Sequence, residues 1–370
     1  MYLQQLNLMN FKNYEEAHIT FSPEINCLVG PNGCGKTNML DAIYYLCMTR
    51  SAFSSVESQN VRHKEKYFMV MGIFEKEGKL SKVHCGYQNS KKSFQLNKKE
   101  YEKLSIHIGS FSCVLIAPND TDLVREGSEE RRKFFDSIIS QANREYLNDL
   151  IRYNQVLKQR NNLLKMYADI PHQLDKDLLQ PYDILMLELG KKIYSVRKRF
   201  ADDLKESFEK FYSYLTDEAE EVSMRYKSEV GETSFEENFF GSLQKDLLLQ
   251  RTTKGIHKDD YDFRINGYPL KKYGSQGQQK SFVIALKLAQ FELIYQLTGI
   301  KPVLLLDDIF DKLDDARISK LLQMVTEHQF GQIFITDARP ERTKRLMEHI
   351  DIEVQYLNVS EITQEGSSTT

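Results

Sequence analysis

Three segments, one near the start of the chain and two toward its end, constrain its fold more than any other feature. Near the start, Gly30–Thr37 reads GPNGCGKT and matches the pattern G-x-x-x-x-G-K-[ST] at every fixed position. Glycines in this pattern let successive backbone N–H groups turn inward around phosphate groups. Far along the chain, Ser275–Gln279 reads SQGQQ and Pro302–Asp308 reads PVLLLDD. One site built from such distant parts requires both ends of the chain to fold together, which leaves the middle free to form a separate lobe.

The residues around the first segment supply the secondary structure that a phosphate loop needs. Ile25–Val29 is a short apolar run ending at Gly30, as in a buried parallel strand, and apolar residues recur at helical spacing over 38–47. This context predicts that Lys36 contacts the outer phosphates of ATP and that Thr37 binds Mg²⁺. The residues expected to contact the nucleotide are Gly30, Pro31, Asn32, Gly33, Cys34, Gly35, Lys36, Thr37 and Asn38.

The last of these segments ends in two neighbouring carboxylates. The apolar run Val303–Leu306 is followed directly by Asp307 and Asp308. In P-loop ATPases a carboxylate at the end of such a strand holds Mg²⁺, so we expect Asp307 to bind the metal. Asp308 is then the candidate that orients the attacking water, and with Lys36 it forms the predicted catalytic pair.

The segment Ser275–Gln279 precedes an apolar pattern with helical spacing. A serine hydroxyl, a glycine amide and a helix N-terminus together can bind an anion. A second phosphate site this far from the first is explained if two copies face each other, each presenting the segment to the other's γ-phosphate. A polar turn that caps a helix remains the alternative at this stage.

Composition limits the class of protein. A chain of 370 residues is long enough for two domains, and its net charge of −3 means that any nucleic-acid surface must come from local clustering. No apolar run approaches the roughly 20 residues that cross a bilayer, so no membrane partner is expected. The five cysteines include no C-x-x-C pair, which predicts reduced thiols and a cytoplasmic location.

The periodicity of the sequence predicts an α/β core with an inserted helical domain. Residues 1–127 are predicted as the first part of an ATPase domain, with an antiparallel region at 67–95, and residues 250–363 as its second part. Residues 128–249 are polar and helical in pattern, with Ser128 as a candidate helix cap, and are predicted as an α-helical lobe. Asn266–Gly267 predicts a hairpin. Residues 364–370 are predicted to be a disordered tail.

Several segments spread over nearly the whole chain resemble one family. They are Phe11–Tyr14, Gly30–Asn38, Asp41–Tyr44, Ala117–Asp120 with Arg131–Arg132, Gly255–Asp260, Tyr273–Gln279, Leu304–Asp308 and Asp311–Asp314. They resemble the head domain of the SMC-like ATPases within the ABC superfamily, and the finer resemblance is to the RecF family of bacterial DNA replication and repair proteins. The fold implied is an ABC-type P-loop ATPase core, like an SMC or Rad50 head, with an inserted α-helical lobe.

The resemblance also implies a function and further site residues. It implies an ATP-dependent homodimer that binds double-stranded DNA at gaps and strand junctions, hydrolyses ATP slowly, and acts with RecO and RecR to promote RecA loading. By position, it implies that Ser275, Gly277 and Gln278 contact the nucleotide across the dimer, and that Asp311 and Asp314 belong to a dimer loop.

The sequence departs from the family pattern at a few positions. Lys12 and Lys258 stand where the family usually has arginine, which puts a bidentate contact there in doubt. Ile256 replaces a usual proline, and Asp337 lies where many ABC ATPases have a switch histidine. Asp308 replaces the glutamate of the wider superfamily, as is usual for the RecF family. Because aspartate is one methylene shorter, we expect a slow ATPase.

Other classes of ATPase fit the sequence less well. A transporter-type ABC motor would have a much shorter interval between the phosphate loop and the SQGQQ segment, and a P-loop kinase would not need that segment at all. A repair head with long arms would have an extended heptad region and a C-x-x-C hook. Six basic clusters could contact DNA or simply be solvated faces: Arg62–Lys64, Lys91–Lys92, Lys98–Lys99, Lys191–Lys192, Arg197–Arg199 and Lys271–Lys272.

Overall fold

The computed structural model describes residues 1–168, 175–217, 220–311, 314–327, 329–348 and 352–365. The chain divides into two compact units. The first contains Met1–Thr121, Lys210–Ala219 and Gln276–Thr370, and the second contains Asp122–Glu209 and Glu220–Ser275. The lobe predicted over 128–249 therefore differs in its boundaries from the second unit, which starts earlier, ends later and is interrupted by a short return to the first unit.

Fourteen strands and twelve α-helices make up the described part of the chain. The strands are β1 (Tyr2–Phe11), β2 (Tyr14–Thr20), β3 (Ile25–Val29), β4 (Tyr67–Lys76), β5 (Lys79–Gln88), β6 (Lys91–Leu96), β7 (Lys99–Glu100), β8 (Cys113–Ile116), β9 (Val222–Lys227), β10 (Asp260–Ile265), β11 (Tyr268–Pro269), β12 (Val303–Leu306), β13 (Ile333–Asp337) and β14 (Val354–Asn358). The α-helices are α1 (Lys36–Met48), α2 (Asp122–Arg125), α3 (Ser128–Ala142), α4 (Arg144–Met166), α5 (Gln180–Thr216), α6 (Phe235–Gly241), α7 (Leu243–Leu248), α8 (Leu270–Tyr273), α9 (Gln276–Thr298), α10 (Asp315–Thr326), α11 (Pro340–Met347) and α12 (Val359–Glu365).

The first unit is built on a five-stranded parallel sheet with the order β14-β3-β13-β12-β8. Every residue of β3, β8, β12 and β13 is buried, as expected for strands covered on both faces. The strands predicted from the apolar runs before Gly30 and Asp307 match β3 and β12. Strand β14 gave no clear signal because none of its residues is fully buried.

The first unit also contains a six-stranded antiparallel sheet with the order β2-β1-β4-β5-β6-β7. The predicted antiparallel region at 67–95 is confirmed as β4, β5 and β6. Glu77 and Gly78 form the β4–β5 turn with φ values of 53° and 75°. Aromatic residues of this sheet, including Phe68 and Phe74, pack with α1 into one buried cluster. The helix that follows the phosphate loop is thereby anchored between the two sheets.

The second unit combines helices with a small antiparallel sheet of order β11-β10-β9. The hairpin predicted at Asn266–Gly267 is confirmed, with φ values of 48° and 78°. The region 128–249, predicted as an α-helical lobe, also contains a strand: Val222–Lys227 forms β9, which pairs with β10 far along the chain. Ser128 is not the cap of α3 but its first residue, and Gly127 occupies the cap position.

The last helix extends into the segment predicted to be a disordered tail. That segment starts at residue 364, whereas α12 continues to Glu365, and residues 366–370 lie outside the described part of the chain. Among the helices that the structure describes, none is both long enough and apolar enough to span a membrane.

A buried arginine ties four parts of the second unit together. Arg160 of α4 is 1% exposed. Its guanidinium donates to Asp183 of α5 at 2.6 Å, to Asp246 of α7 at 2.7 Å and to the hydroxyl of Thr252 at 2.9 Å. The guanidinium carbon of Arg160 (Cζ) lies 5.1 Å from the ring centroid of Phe239. Because Asp246 is fully buried, removal of the arginine would leave this carboxylate without a counter-charge.

We expect Arg160→Met to destabilise the second unit by roughly 3–5 kcal/mol, the usual cost of removing one partner from a buried ion pair. The matched control is Arg152→Met on the exposed face of the same helix, which we expect to cost less than about 0.5 kcal/mol. The chain has 20 tyrosines and no tryptophan, so urea unfolding followed by tyrosine fluorescence measures both variants. Equal losses of stability in the two variants would contradict a structural role for the Arg160 network.

Candidate functional site

The order of the parallel sheet brings three chemically important segments to one edge. Strands β3, β13 and β12 are adjacent and parallel, so their carboxyl ends meet at the same side. The phosphate loop follows β3, Asp307 and Asp308 follow β12, and Asp337 is the last residue of β13. Ligands of open α/β sheets bind at this edge. The sheet therefore assembles the predicted site from both ends of the chain.

The phosphate loop has backbone angles that favour glycine. Gly30, Gly33 and Gly35 have φ values of 149°, 85° and 113°. A Cβ atom on Gly35 would lie 2.5 Å from the side-chain amide of Asn13, whereas a Cβ on Gly33 would meet nothing within 4 Å. The loop is thus tightly held at its base and open at its tip. Lys36 is buried and its Nζ donates to the carbonyl oxygens of Gly30 at 2.8 Å and Pro31 at 3.0 Å.

Asn13, in the turn between β1 and β2, and Tyr14, the first residue of β2, hold the base of this loop. The Asn13 amide donates to the carbonyl oxygen of Cys34 at 2.9 Å, and the Tyr14 hydroxyl donates to that of Gly35 at 2.9 Å. Asn38 in turn donates to Asn13 at 2.7 Å. Tyr14 is fully buried, and burial raises the pKa of its phenol well above the usual value, so it stays a hydrogen-bond donor. Both residues belong to a sequence segment that resembles the family, but no role was predicted for either of them.

The carboxylate of Asp307 is the centre of a hydrogen-bond network. The hydroxyl of Thr37 lies 2.9 and 3.1 Å from its two oxygens, and the hydroxyl of Thr336 donates to it at 2.9 Å. Burial raises the pKa of Asp307, and the charge of neighbouring Asp308 acts in the same direction. Thr336 was missed from the sequence. The available signal was a second polar residue, next to Asp337, at the carboxyl end of an apolar strand.

Asp308 and Asp337 differ in their surroundings. Asp308 has a φ of 47°, a left-handed backbone that few residues other than glycine, asparagine and aspartate adopt, and its N–H donates to Thr336 at 2.8 Å. Its side chain is half-buried at the edge of the sheet. Asp337 is buried, and its carboxylate accepts from the Thr343 hydroxyl at 2.6 Å and the Arg339 N–H at 3.1 Å. Asp337 therefore anchors the start of α11.

The signature and dimer-loop residues lie on other elements. Helix α9 begins at Gln276, directly after the exposed Ser275, and Gly277 in its first turn is also exposed while Gln278 is half-buried. The hydrogen bond from Thr37 to Asp307 joins the phosphate loop to β12, and the one from Thr336 to Asp307 joins β13 to β12.

In the predicted dimer loop, Asp314 is exposed and accepts from the Arg317 N–H at 2.9 Å. Residues 312–313 and the side chain of Asp311 lie outside the described part of the chain.

The turn after β8 lies nearest to the position where an ABC-type ATPase would have its glutamine loop. Asn119 there is exposed, whereas Asp120 accepts from the Ala117 N–H at 2.7 Å and pairs with Lys287 of α9 at 3.0 Å. Lys287 also donates to the carbonyl oxygen of Leu115 at 2.8 Å. Asp120 thus fixes this turn to α9.

An open cavity of about 810 Å³ adjoins the phosphate loop. Its walls include Lys12, Asn13, Asn38, Phe53, Arg62 and Lys64. The ammonium group of Lys12 forms an ion pair with the buried Asp41 and lies 5.5 Å from the ring centroid of Phe53. Lysine at this position therefore acts as a point charge toward a carboxylate of α1, and this role does not need the planar fork of an arginine.

Comparisons with known proteins show the family to which the chain belongs. Residues 2–361 match the family model described as the RecF/RecN/SMC N terminal domain. A DNA replication and repair protein RecF from Cytophaga hutchinsonii is 49% identical over 343 residues, which cover 93% of this chain and 91% of that protein.

Solved structures also show similarity to RecF. The recombination mediator protein RecF with ATP, described as part of the RecFOR pathway, superposes with a TM-score of 0.85 at 31% identity and covers 97% of both chains. An Smc head bound to a winged-helix domain of ScpA gives a TM-score of 0.54 at 18% identity over 92% of this chain and 90% of that one, which supports the fold alone. The chain belongs to the RecF family of DNA replication and repair proteins, on an ABC-type ATPase head fold of the SMC group.

Proposed function

We propose that this chain is a slow, ATP-dependent DNA-binding ATPase of replication and repair, whose ATP-bound form is a homodimer. The observation that carries the proposal is the hydrogen bond between Thr37 and Asp307, residues 270 positions apart that meet at the carboxyl edge of the parallel sheet. We assign the ATPase chemistry to the first unit, and the second unit takes the place of the predicted inserted lobe.

The residues at the sheet edge suit a nucleotide and a divalent cation. The open tip at Gly33 leaves room for phosphate groups. The backbone conformations and close neighbours of Gly30 and Gly35 exclude side chains at those two positions. The hydroxyl of Thr37 and the carboxylate of Asp307 form the hard oxygen donor set that Mg²⁺ prefers. Mg²⁺–ATP would supply a γ-phosphoryl group polarised for transfer to water.

Each residue of the site has a role that follows from its position. Lys36 and the loop N–H groups neutralise phosphate charge, and Thr37 with Asp307 holds the cation. Thr336 orients the Asp307 carboxylate and also accepts from the Asp308 N–H. The fixed left-handed backbone of Asp308 aims its side chain at the edge, where it positions water and accepts its proton. We take its short side chain as the cause of slow turnover.

The exposed SQGQQ segment suits a role across a dimer. Ser275, Gly277 and Gln278 lie at the start of α9, where a hydroxyl and helix N–H groups are available to an anion. We propose that they contact the nucleotide held by the second copy, and that Asp311 and Asp314 face the same interface. ATP then acts as the link between two copies, and hydrolysis releases them.

The partners follow from the family. We propose that the dimer binds double-stranded DNA at gaps and strand junctions in the cytoplasm and acts with RecO and RecR to favour RecA loading. Support comes from the RecF relatives, which are described as DNA replication and repair proteins, and from the RecF–ATP structure, which is placed in the RecFOR pathway.

The first test separates ATP binding from hydrolysis. We expect Asp308→Asn to lower the rate of ATP hydrolysis by about 10²–10⁴-fold and leave ATP binding intact, because asparagine keeps the backbone conformation but cannot accept a proton. Lys36→Met should abolish both. The measurements are phosphate release and binding of a fluorescent ATP analogue, with the exposed Asp203→Asn as a matched control. Full hydrolysis by Asp308→Asn would remove this residue from the mechanism.

The second test concerns the dimer. We expect light scattering to show wild type as a monomer alone and a dimer with ATP and Mg²⁺. Ser275→Arg should stay monomeric because the larger, charged side chain blocks the interface. Ser90→Arg, at an exposed hairpin tip, adds the same group elsewhere and should dimerise like wild type. A wild-type chain that binds ATP and remains monomeric would rule out the role of SQGQQ across two copies.

A further inference from the structure

The helix α5 separates three consecutive basic residues into different environments. Successive residues of an α-helix point about 100° apart. Arg197 is 1% exposed and donates to Asp136 at 3.0 Å and to Asp259 at 2.8 Å. Arg199 is highly exposed and pairs with Asp203 at 3.7 Å. Lys198, between them, lines a groove. Of these three residues, Lys198 alone lines the groove.

This groove is a cavity of about 680 Å³ within the second unit. One wall is α5, where Lys198, Asp202 and Lys205 follow the helical spacing of four and three residues, and the other is formed by β9 and β10 with Arg225 and Arg264. Its four cations outnumber its single carboxylate. Ser223, Ser228, Tyr194 and Tyr226 also line it.

The charges of the groove are poorly neutralised by the protein itself. Among the described residues, Lys198 and Arg225 form no ion pair, and both are exposed. Lys205 has only a distant partner on its own helix, Glu209 at 3.8 Å. By contrast, Lys191 and Lys192 elsewhere on α5 pair with Glu236 and with Glu188 respectively. Unpaired cations gathered in a concave polar site attract an anion with several charges.

The floor of the groove is rigid. Tyr226 donates its hydroxyl to Asp259, which is held by the buried Arg197, and the ring centroid of Tyr226 lies 5.1 Å from that of Tyr261. Arg264 is fixed by Asp262 at 2.8 Å and by the carbonyl oxygen of Gly267 at 2.9 Å. A rigid support lets the cations meet a ligand with little loss of conformational entropy.

We propose that this groove binds the phosphodiester backbone of double-stranded DNA, with Lys198 and Arg225 as the main phosphate contacts. The inference rests on the proposed DNA-binding function and assigns it a surface. The mixture of lysine, arginine and hydroxyl groups is the one that contacts phosphate oxygens without reading bases. Such contacts are independent of sequence and sensitive to salt.

The test compares two double variants with the same change in charge. The first is Lys198→Gln with Arg225→Gln, in the groove. The second is Lys192→Gln with Arg199→Gln, on α5 outside it. Fluorescence anisotropy measures binding of each to a labelled duplex of about 30 base pairs with ATP and Mg²⁺ between about 50 and 300 mM salt. We expect the groove variant to bind the duplex roughly tenfold more weakly than wild type. The slope of log affinity against log salt concentration should become shallower by about two units, because each phosphate contact contributes about 0.9 to that slope. The control should change by less than about twofold.

Each other result has a distinct meaning. If wild type binds the duplex and both variants weaken equally, the groove is not the contact surface, while the proposed function stands. If wild type with ATP does not bind the duplex, both proposals fall. If wild type binds inorganic phosphate, and the groove variant loses this binding but keeps the wild-type affinity for the duplex, the groove is a small-anion site and the DNA assignment is wrong. Unchanged melting temperature and ATP binding in the groove variant show that its fold is intact.

Discussion

The site depends on the pairing of β3, β13 and β12 in one parallel sheet. A single hydrogen bond such as Thr37–Asp307 contributes about 1 kcal/mol, too little to offset the entropy of closing a loop of 270 residues. The buried strands close this loop, because their side chains are covered on both faces and their register is fixed, with Ile335 opposite Cys27 and Leu305 opposite Phe334. The hydrogen bond between Thr37 and Asp307 is therefore a consequence of the strand register and not its cause.

The site keeps features that cost stability. Asp307 is a buried carboxylate whose pKa is raised by burial, and Asp308 beside it has a backbone conformation that is unfavourable for most residues. Two hydroxyl groups offset part of the cost of burying Asp307, and a bound cation would offset the rest. Natural chains retain such local conflicts mainly where function requires them. The same sheet edge would be better packed, and unable to hold a metal, with two apolar residues there.

Local sequence determined some of these features and not others. The apolar runs of β3 and β12 and the glycine pattern between β3 and α1 are short-range signals, and the structure has them at the predicted positions. Strand β9 was not predicted within the helical lobe because only pairing with β10, more than thirty residues later, makes this segment a strand. The roles of Thr336 and Asn13 were missed in the sequence for a similar reason. Their partners, Asp307 and Cys34, become neighbours only after the sheets form.

The distribution of charge illustrates the same limit in the second unit. A net charge of −3 gives no sign of an anionic partner, and the run Arg197–Arg199 looks like one basic cluster in the sequence. Because successive residues of a helix point in different directions, Arg197 joins a buried ion-pair network, Lys198 lines the groove and Arg199 is exposed to solvent. The groove gains its charge instead from Arg225 and Arg264, which arrive from two strands. A positive surface on an acidic protein therefore results from tertiary structure, and counting charges along the chain does not find it.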